Sequence, residues 1–224
     1  MDFSLSDEQR ALQDSVRQFA RRELPDIARQ IEASDNPPDL DLRRRYGELG
    51  YLGVNLDSRY GGGGMSHFDA VLVLEEIASI SIAVAFPIFE SCFGPCLAIA
   101  HYGSAQLKQQ VLPKVCSGDT IVAVSMSEPD AGSALTDLKT RAEIQGDEVI
   151  INGSKRWCSG AGHSEAYLVY CRFDDIPGAK GIGAVLVEKD SPGLSFGQRD
   201  HHMGFRGVPS ADMYFDDVRV PAHQ

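Results

Sequence analysis

The sequence predicts an α+β protein, with an N-terminal all-α helical domain followed by a small β-barrel or sandwich domain. Residues 1–119 carry apolar side chains at helical spacing, with capping and turn residues between the segments. After Asp119 the apolar residues fall in short runs separated by glycine, proline and aspartate, which is typical of strands. We therefore predict two domains, residues 1–119 and residues 120–224. A chain of 224 residues is long enough to give each a buried core.

Capping residues and apolar spacing define the helices of the first half. Ser6 is followed three positions later by Gln9, which matches a capping box, and an apolar helical face comes next. Pro25 is expected to disturb or end this first helix, because its ring nitrogen cannot donate to the preceding turn. Ser66 is expected to cap a later helix. The other predicted helices are a short one through Leu42, Tyr46 and Leu49 closed by Gly50, a longer one over residues 84–102, and one over residues 105–116.

Short apolar runs define the strands of the second half. Residues 148–151 lead directly into Asn152-Gly153, a pair that accepts the positive φ angles of a tight type I′ turn. The sequence therefore predicts a hairpin that turns at Asn152-Gly153. The other predicted strands are residues 120–124, 166–171, 183–187, 194–196 and 213–215.

Composition and charge argue against several classes of protein. The net charge of −11 disfavours a nucleic-acid partner, because a duplex binder needs a basic surface to displace counterions. No membrane span is expected, since the longest apolar candidate, residues 77–89, is interrupted by serines and Pro87. Five cysteines without a CxxC pair are typical of free thiols in a reducing compartment, so we expect a cytoplasmic protein.

Two polar segments could hold a ligand. Ser127 to Ser133 combines a glycine with two hydroxyl side chains directly after a predicted strand, and its backbone N–H groups can serve carbonyl or phosphate oxygens. A polar turn between two strands is the alternative. Residues 154–159 carry the single tryptophan, Trp157, with Ser159 expected on the same strand face. That pair suits the edge of a flat polar ring, and a buried core tryptophan is the alternative.

Both segments resemble motifs of the acyl-CoA dehydrogenase family. In that family a strand leads into a Ser/Thr-Glu-Pro-x-Ala-Gly-Ser loop, here Ser127 through Ser133. An Asn-Gly-x-Lys-x-Trp segment follows at similar spacing, here Asn152 through Trp157. The resemblance covers nearly the whole chain in family order. It includes Tyr60-Gly61-Gly62, Glu75-Glu76-Ile77-Ala78, Tyr102-Gly103-Ser104, Leu112-Pro113, Met203-Gly204-Phe205-Arg206 and residues 215–221.

The resemblance implies an FAD-dependent enzyme that desaturates an acyl-CoA thioester between its α and β carbons, with hydride transfer to flavin N5. Ser127 would contact the pyrimidine side of the flavin, Trp157 would pack on the ring, and Ser159 would hydrogen-bond near N5. Ser133 and Arg206 would lie near the acyl-CoA. The flavin-binding residues implied by the resemblance are Val124, Met126, Ser127, Ser133, Trp157, Cys158 and Ser159.

The resemblance also implies features outside this chain. Family members continue into a C-terminal helical domain that supplies the glutamate base, so the base is expected beyond Gln224 and the chain is expected to be cut before it. A homo-oligomer and an electron-transfer flavoprotein or similar acceptor are implied as well. Two alternatives stay open: a non-catalytic flavin- or CoA-binding subunit completed in trans, and an oxidase or monooxygenase that uses the same flavin site.

Other polar residues are weaker candidates. His201-His202 predicts no metal site, because adjacent side chains on a strand point to opposite faces and no suitably spaced carboxylate supports them. Lys155 and Arg156 flank Trp157 and could attract a phosphate, but solvated strand charges are the expected reading. Ala134 and Cys158 depart from the family pattern, which affects fine geometry and substrate preference rather than flavin binding.

Overall fold

The computed structural model describes residues 4–224, and the predicted α+β class is confirmed. Helices make up the first part and strands the second. The chain divides into two compact units whose segments alternate in sequence. The helical unit contains the described residues up to 100 together with residues 109–119 and 202–208, and the β unit contains residues 101–108, 120–201 and 209–224.

The α-helices begin as their capping residues predict. Ser6 and Ser66 each accept a hydrogen bond from the backbone N–H three residues ahead, at 3.2 and 3.1 Å. The side chains of Gln9 and Asp69 accept in return from the backbone N–H of the capping serines, which completes two capping boxes. The helices are α1 (Asp7–Ser34), α2 (Leu40–Glu48), α3 (His67–Ala78), α4 (Ile82–Cys92), α5 (Pro95–Tyr102) and α6 (Ala105–Cys116).

Two helix predictions are wrong. α1 does not end at Pro25 but continues to Ser34, because burial of Leu24 and Ile31 on its inner face offsets the single hydrogen bond that proline cannot make. The helix predicted over residues 84–102 is divided into α4 and α5. Pro95 occupies the first position of α5, where a missing N–H costs nothing.

The longest apolar stretch is Ile82–Tyr102 rather than the expected residues 77–89. By length and composition alone it is apolar enough to cross a membrane. It consists of α4 and α5, and most of this apolar stretch is buried inside the protein. Val84, Ile88 and Cys92 of α4 are fully buried in the core of the helical unit. The segment therefore belongs to the protein core, and buried core helices can be as long and as apolar as a membrane span.

Aromatic packing organises the core of the helical unit. The ring of Phe19 meets Tyr46 and Tyr51 edge to face, with centroid distances of 6.1 and 5.5 Å. The Tyr46 hydroxyl donates to the carbonyl of Val84 at 3.0 Å, which satisfies the one polar atom that this ring buries. These contacts join α1, α2 and α4 around one apolar centre.

The strands of the β unit form one seven-stranded sheet in the order β1-β4-β2-β3-β7-β6, with β5 paired to β4. β1 runs parallel to the first part of β4 and β2 parallel to its end, so both lie along one edge of β4. β5 is antiparallel along the other edge. The strands are β1 (Val122–Ser125), β2 (Arg141–Gln145), β3 (Glu148–Ser159), β4 (Ala166–Phe173), β5 (Ile182–Glu188), β6 (Leu194–Phe196) and β7 (Ser210–Pro221).

The predicted hairpin turn at Asn152-Gly153 is wrong. β3 runs through this pair, and the tight turn between β2 and β3 contains Gly146, with a φ of 65°. Gly153 instead lies at an irregularity in the pairing of β3 with β7. A Cβ atom on Gly153 would lie 2.7 Å from the Cα atom of Thr140, so a close backbone approach requires glycine here. The Asn152 side-chain amide donates to Asp217 at 2.8 Å across the sheet.

Candidate functional site

β3 has a bulge at Arg156 and Trp157. These two residues face a single residue of β7, Asp212, so the regular ladder is interrupted. Trp157 has a φ of 56°, in the left-handed region that an aromatic residue rarely adopts. Such a conformation costs about 1–3 kcal/mol and persists mainly at functional sites, where the surrounding structure enforces it.

The bulge turns Trp157 outward. Its exposed fraction is 61%, so the alternative of a buried core tryptophan is wrong. Cys158 next to it is buried in the β core, and Ser159 is half-buried. This burial pattern places Trp157 and Ser159 on the outer face of β3, on opposite sides of an inward-pointing residue. The outer face therefore offers an aromatic plate with a hydroxyl beside it.

Arg156 supports the tryptophan from one side. Its guanidinium carbon lies 4.7 Å from the centroid of the Trp157 ring, which is a cation–π contact. Regular strand alternation would place these neighbours on opposite faces, and the bulge brings both to the outer face. The Arg156 Nε atom lies 4.0 Å from a carboxylate oxygen of Asp212, the residue opposite the bulge.

The loop of residues 126–140, called the 126–140 loop below, begins alongside the bulge. The carbonyl of Ser127 accepts from the backbone N–H of Arg156 at 2.8 Å. One residue before the end of β1, the carbonyl of Val124 accepts from the thiol of Cys158 at 3.4 Å. The structure thus brings the residues predicted on the first motif next to those predicted on the second.

Glu128 and Lys155 form a buried ion pair at the base of this loop. The Lys155 ammonium donates to Glu128 Oε1 at 2.8 Å and to the carbonyl of Met126 at 3.0 Å. Lys155 is only 1% exposed, so the prediction of a solvated strand charge is wrong. The Glu128 carboxylate also accepts from the backbone N–H groups of Lys139 and Thr140, at 2.6 and 2.9 Å. One carboxylate therefore ties both ends of the 126–140 loop to β3.

The protonation of this pair follows from its contacts. Burial raises the pKa of Glu128, but hydrogen bonds from Lys155, Lys139 and Thr140 outweigh burial and hold the pKa below its usual value. Burial lowers the pKa of Lys155, and the neighbouring carboxylate partly opposes that shift. Glu128 is consequently a poor proton acceptor at neutral pH and acts as an anchor.

The lowered pKa of Glu128 predicts a loss of stability in acid. Its ionised form stabilises the folded state at pH values above its unfolded pKa of about 4.3. Because the folded pKa is lower still, this stabilisation disappears as the pH falls from about 4.3 through the folded value. Unfolding in urea between pH 6 and pH 3 measures the effect. Glu128→Gln should flatten the acid slope, and an unchanged slope in that variant would show that Glu128 carries none of it.

The middle of the 126–140 loop is exposed. Gly132, Ser133 and Ala134 all face solvent, so Ser133 lies on a protruding tip. Arg172 of β4 holds the returning part of the loop, with its Nε donating to the carbonyl of Leu138 at 3.0 Å and its backbone N–H to that of Thr140 at 2.7 Å. A loop anchored at both ends presents its tip in one place without burying it.

The remaining predicted residues lie elsewhere. Arg206 belongs to the helical unit, where it is exposed and donates to the carbonyl of Glu32 at 3.3 Å. His201 and His202 are exposed. Among residues 4–224, no three histidine, cysteine, aspartate or glutamate side chains are grouped closely enough to hold a metal ion.

Two family profiles match the chain in order. The profile "Acyl-CoA dehydrogenase, N-terminal domain" matches residues 6–119, and "Acyl-CoA dehydrogenase, middle domain" matches residues 123–218. The chain belongs to the acyl-CoA dehydrogenase family. The resemblance read from the loop and tryptophan motifs is thereby confirmed.

Individual relatives in the acyl-CoA dehydrogenase family cover the same region. Mitochondrial isovaleryl-CoA dehydrogenase of Pongo abelii is 35% identical over 97% of the chain, and 3-sulfinopropanoyl-CoA desulfinase of Paraburkholderia xenovorans is 39% identical over 97%. A glutaryl-CoA dehydrogenase from Mycobacterium smegmatis in complex with FADH2 superposes with a TM-score of 0.88 and 28% identity over 98% of the chain. The chain spans 52%, 56% and 55% of these three proteins, about half of each.

Proposed function

We propose that the β unit binds FAD and an acyl-CoA thioester, and that this chain is the flavin-binding part of an acyl-CoA dehydrogenase. The observation that carries the proposal is Trp157, held outward in a strained bulge beside an anchored loop. An exposed, strained tryptophan adds little to the β core, so a ligand is the simplest reason for its conformation. The M. smegmatis relative in complex with FADH2 supports flavin as that ligand.

The residues present fit a flat, polar ring. Trp157 offers an aromatic surface, and its large exposed fraction leaves indole area for a second planar group besides Arg156. Ser127 and Ser159 are half-buried and carry hydroxyls that can donate or accept at the edge of the ring. Val124 and Met126 would add packing or main-chain contacts, and Cys158 would back the tryptophan from the core side.

The proposed reaction needs a hydride acceptor, a polarised thioester and a base. FAD, when bound, supplies the acceptor at N5 for the hydride that leaves the β carbon. This chain's residues would orient the ring and exclude water from one of its faces, while the exposed Ser133 would contact the CoA portion of the substrate. Arg206 is a weaker candidate for such a contact, because it already engages Glu32.

We assign the base that removes the α-proton to none of the described residues. Glu128 is closed by three hydrogen bonds, and its pKa is held low. Glu76 accepts two hydrogen bonds from the guanidinium of Arg17, from Nε at 2.9 Å and from Nη2 at 2.8 Å, one on each carboxylate oxygen. A carboxylate held in this way is a weak acceptor for a carbon-bound proton.

A second candidate is a different reaction of an acyl-CoA at the same flavin site. The relative with 39% identity is named a desulfinase rather than a dehydrogenase. The two domains that it shares with this chain are therefore found with more than one chemistry. Under this candidate the chain would still bind FAD and a thioester, but the product would not be the α,β-unsaturated acyl-CoA.

Partners and setting complete the proposal. An electron-transfer flavoprotein or a similar acceptor would take the electrons, and the protein would act as a homo-oligomer, as the family resemblance implies. We propose a cytoplasmic location on the basis of the five cysteines, none of which is joined in a disulfide in the structure.

Titration of the flavin-free chain with FAD tests the binding proposal. We expect saturable quenching of the Trp157 fluorescence with one FAD per chain, because the single tryptophan would pack on the ring. A folded chain that shows neither quenching nor flavin absorbance after gel filtration would contradict it. Incubation with acyl-CoA and an artificial electron acceptor then separates the two reactions. Loss of two hydrogens from the thioester by mass spectrometry supports the dehydrogenase, and consumption to any other product supports the second candidate.

A further inference from the structure

We propose that Lys155 and Glu128 are a positioning pair, whose task is to hold Trp157 in its outward conformation and to fix the start of the 126–140 loop against β3. The two residues lie in the two motifs that the sequence places 27 positions apart, and their side chains meet at 2.8 Å. The role of the pair in positioning Trp157 is argued from the contacts in the structure. The effect of the pair on FAD binding rests on the proposed function.

The pair is placed where it can control the bulge. Lys155 is the residue directly before the bulge, and its ammonium also donates to the carbonyl of Met126. The next contact along is the hydrogen bond from the Arg156 N–H to the carbonyl of Ser127 at 2.8 Å. The backbone of Lys155 is held in β3 and its ammonium is held by the 126–140 loop. Lys155 therefore fixes the position of the loop relative to Arg156, the first residue of the bulge.

The other contacts of the bulge are weaker restraints. Arg156 is partly exposed and its Nε lies 4.0 Å from the Asp212 carboxylate, a separation at which solvent screens the attraction. Trp157 is 61% exposed, so its own burial restrains it only weakly. The ion pair is almost fully buried, and its donors and acceptors are matched by hydrogen bonds, so its geometry is defined.

The ion pair also couples the bulge to the far end of the loop. The carboxylate that receives Lys155 receives the backbone N–H groups of Lys139 and Thr140 as well. The Thr140 hydroxyl donates to the carbonyl of Ser154, the residue before Lys155, at 3.1 Å. A movement at either end of the loop is therefore transmitted to the strand segment that carries Trp157.

Fluorescence of the single tryptophan tests this proposal in the flavin-free chain. In the double variant Lys155→Met/Glu128→Gln both charges are removed, so no uncompensated buried charge remains and the chain is expected to fold. Lys139 and Thr140 donate to different oxygens of Glu128, and glutamine keeps one of these two acceptors. The double variant therefore loses the tie to β3 together with one of the two contacts at the far end of the loop. We expect the Trp157 anisotropy to fall by about a third, because local motion of the ring increases.

Matched variants separate positioning from general stability. Lys139→Met removes an exposed loop lysine that pairs with Asp130, and it should leave the anisotropy unchanged. Lys155→Arg retains the charge and should recover part of the lost anisotropy. A folded double variant with the anisotropy of the parent chain would overturn the proposal. So would an equal fall in Lys139→Met, which would mark a nonspecific effect.

FAD titration of the same variants distinguishes this proposal from the proposed function. If both hold, the double variant binds FAD about tenfold more weakly, because the binding surface is no longer preorganised. If the parent chain binds no FAD but the anisotropy still falls in the double variant, the positioning pair stands and the proposed function fails. If the parent chain binds FAD and the double variant binds it equally well with unchanged anisotropy, the proposed function stands and the positioning pair fails.

Discussion

Replacing Trp157 by alanine is expected to remove FAD from the purified protein while leaving the fold intact. The indole is 61% exposed, so its loss removes little buried apolar area. If the flavin packs on this ring, the loss of stacking should weaken FAD binding by about 10- to 100-fold, as for a base stacked on an aromatic side chain. The FAD content of the purified variant and its dissociation constant, measured by titration, check the result.

Two further variants sharpen the Trp157 experiment. Tyr102→Ala removes an aromatic side chain that is 90% exposed and lies outside the 126–140 loop, and it should leave FAD binding unchanged. Trp157→Gly relieves the left-handed backbone strain, so its free energy of unfolding should equal or exceed that of the parent by about 1 kcal/mol. Retained flavin in Trp157→Ala would exclude the proposed placement of the ring. A loss of about 3–5 kcal/mol in either variant would show instead that the tryptophan is part of the core.

The Lys155→Met variant is expected to be strongly destabilised. Removing the ammonium leaves the Glu128 carboxylate buried without its counter-charge, and breaking a buried pair in this way typically costs about 3–5 kcal/mol. For a chain of this size that corresponds to a fall of roughly 10 °C in the unfolding temperature. Thermal unfolding followed by far-UV circular dichroism measures it.

The control for Lys155→Met is a lysine of the same loop. Lys139 pairs with Asp130 at 3.1 Å, but both side chains are about three-quarters exposed, at 74% each. Lys139→Met should therefore change the free energy of unfolding by less than about 1 kcal/mol. Equal stability of the two variants would show that the burial of Lys155 carries no energetic weight. Restoration of stability by adding Glu128→Leu to Lys155→Met would confirm that the unpaired carboxylate is the cause.

Local signals in the sequence predict much of the fold. The helix starts at Ser6 and Ser66 are confirmed because a cap is a property of four consecutive residues. The strand of residues 194–196 is likewise confirmed as β6, since its flanking turn residues are local. The sequence does not predict β2, because most side chains of this strand are exposed and its apolar Ile144 faces solvent. Its pairing with β3 and with the end of β4 identifies it.

Features that depend on distant contacts could not be predicted. The pattern of Asn152-Gly153 matches a tight turn, but pairing of β3 with the long β7 overrides that local preference. The same pairing creates the bulge that exposes Trp157. No local pattern reports that Lys155 is buried, because its partner Glu128 lies in another segment of the chain. The motifs therefore locate the candidate site, while its conformation and its electrostatics come from the sheet.

Each unit contains buried cysteines whose reaction with a thiol reagent can report when that unit opens. Cys92, Cys96 and Cys116 lie in the helical unit, while Cys158 and Cys171 lie in the β unit. Burial raises the pKa of Cys116 to about 11 and that of Cys171 to about 12, so neither forms a reactive thiolate in the native state at neutral pH. A thiol reagent can label these residues only after the surrounding structure opens. The rates of labelling at Cys116 and at Cys171 therefore time the opening of the two halves separately, within a single unmodified chain.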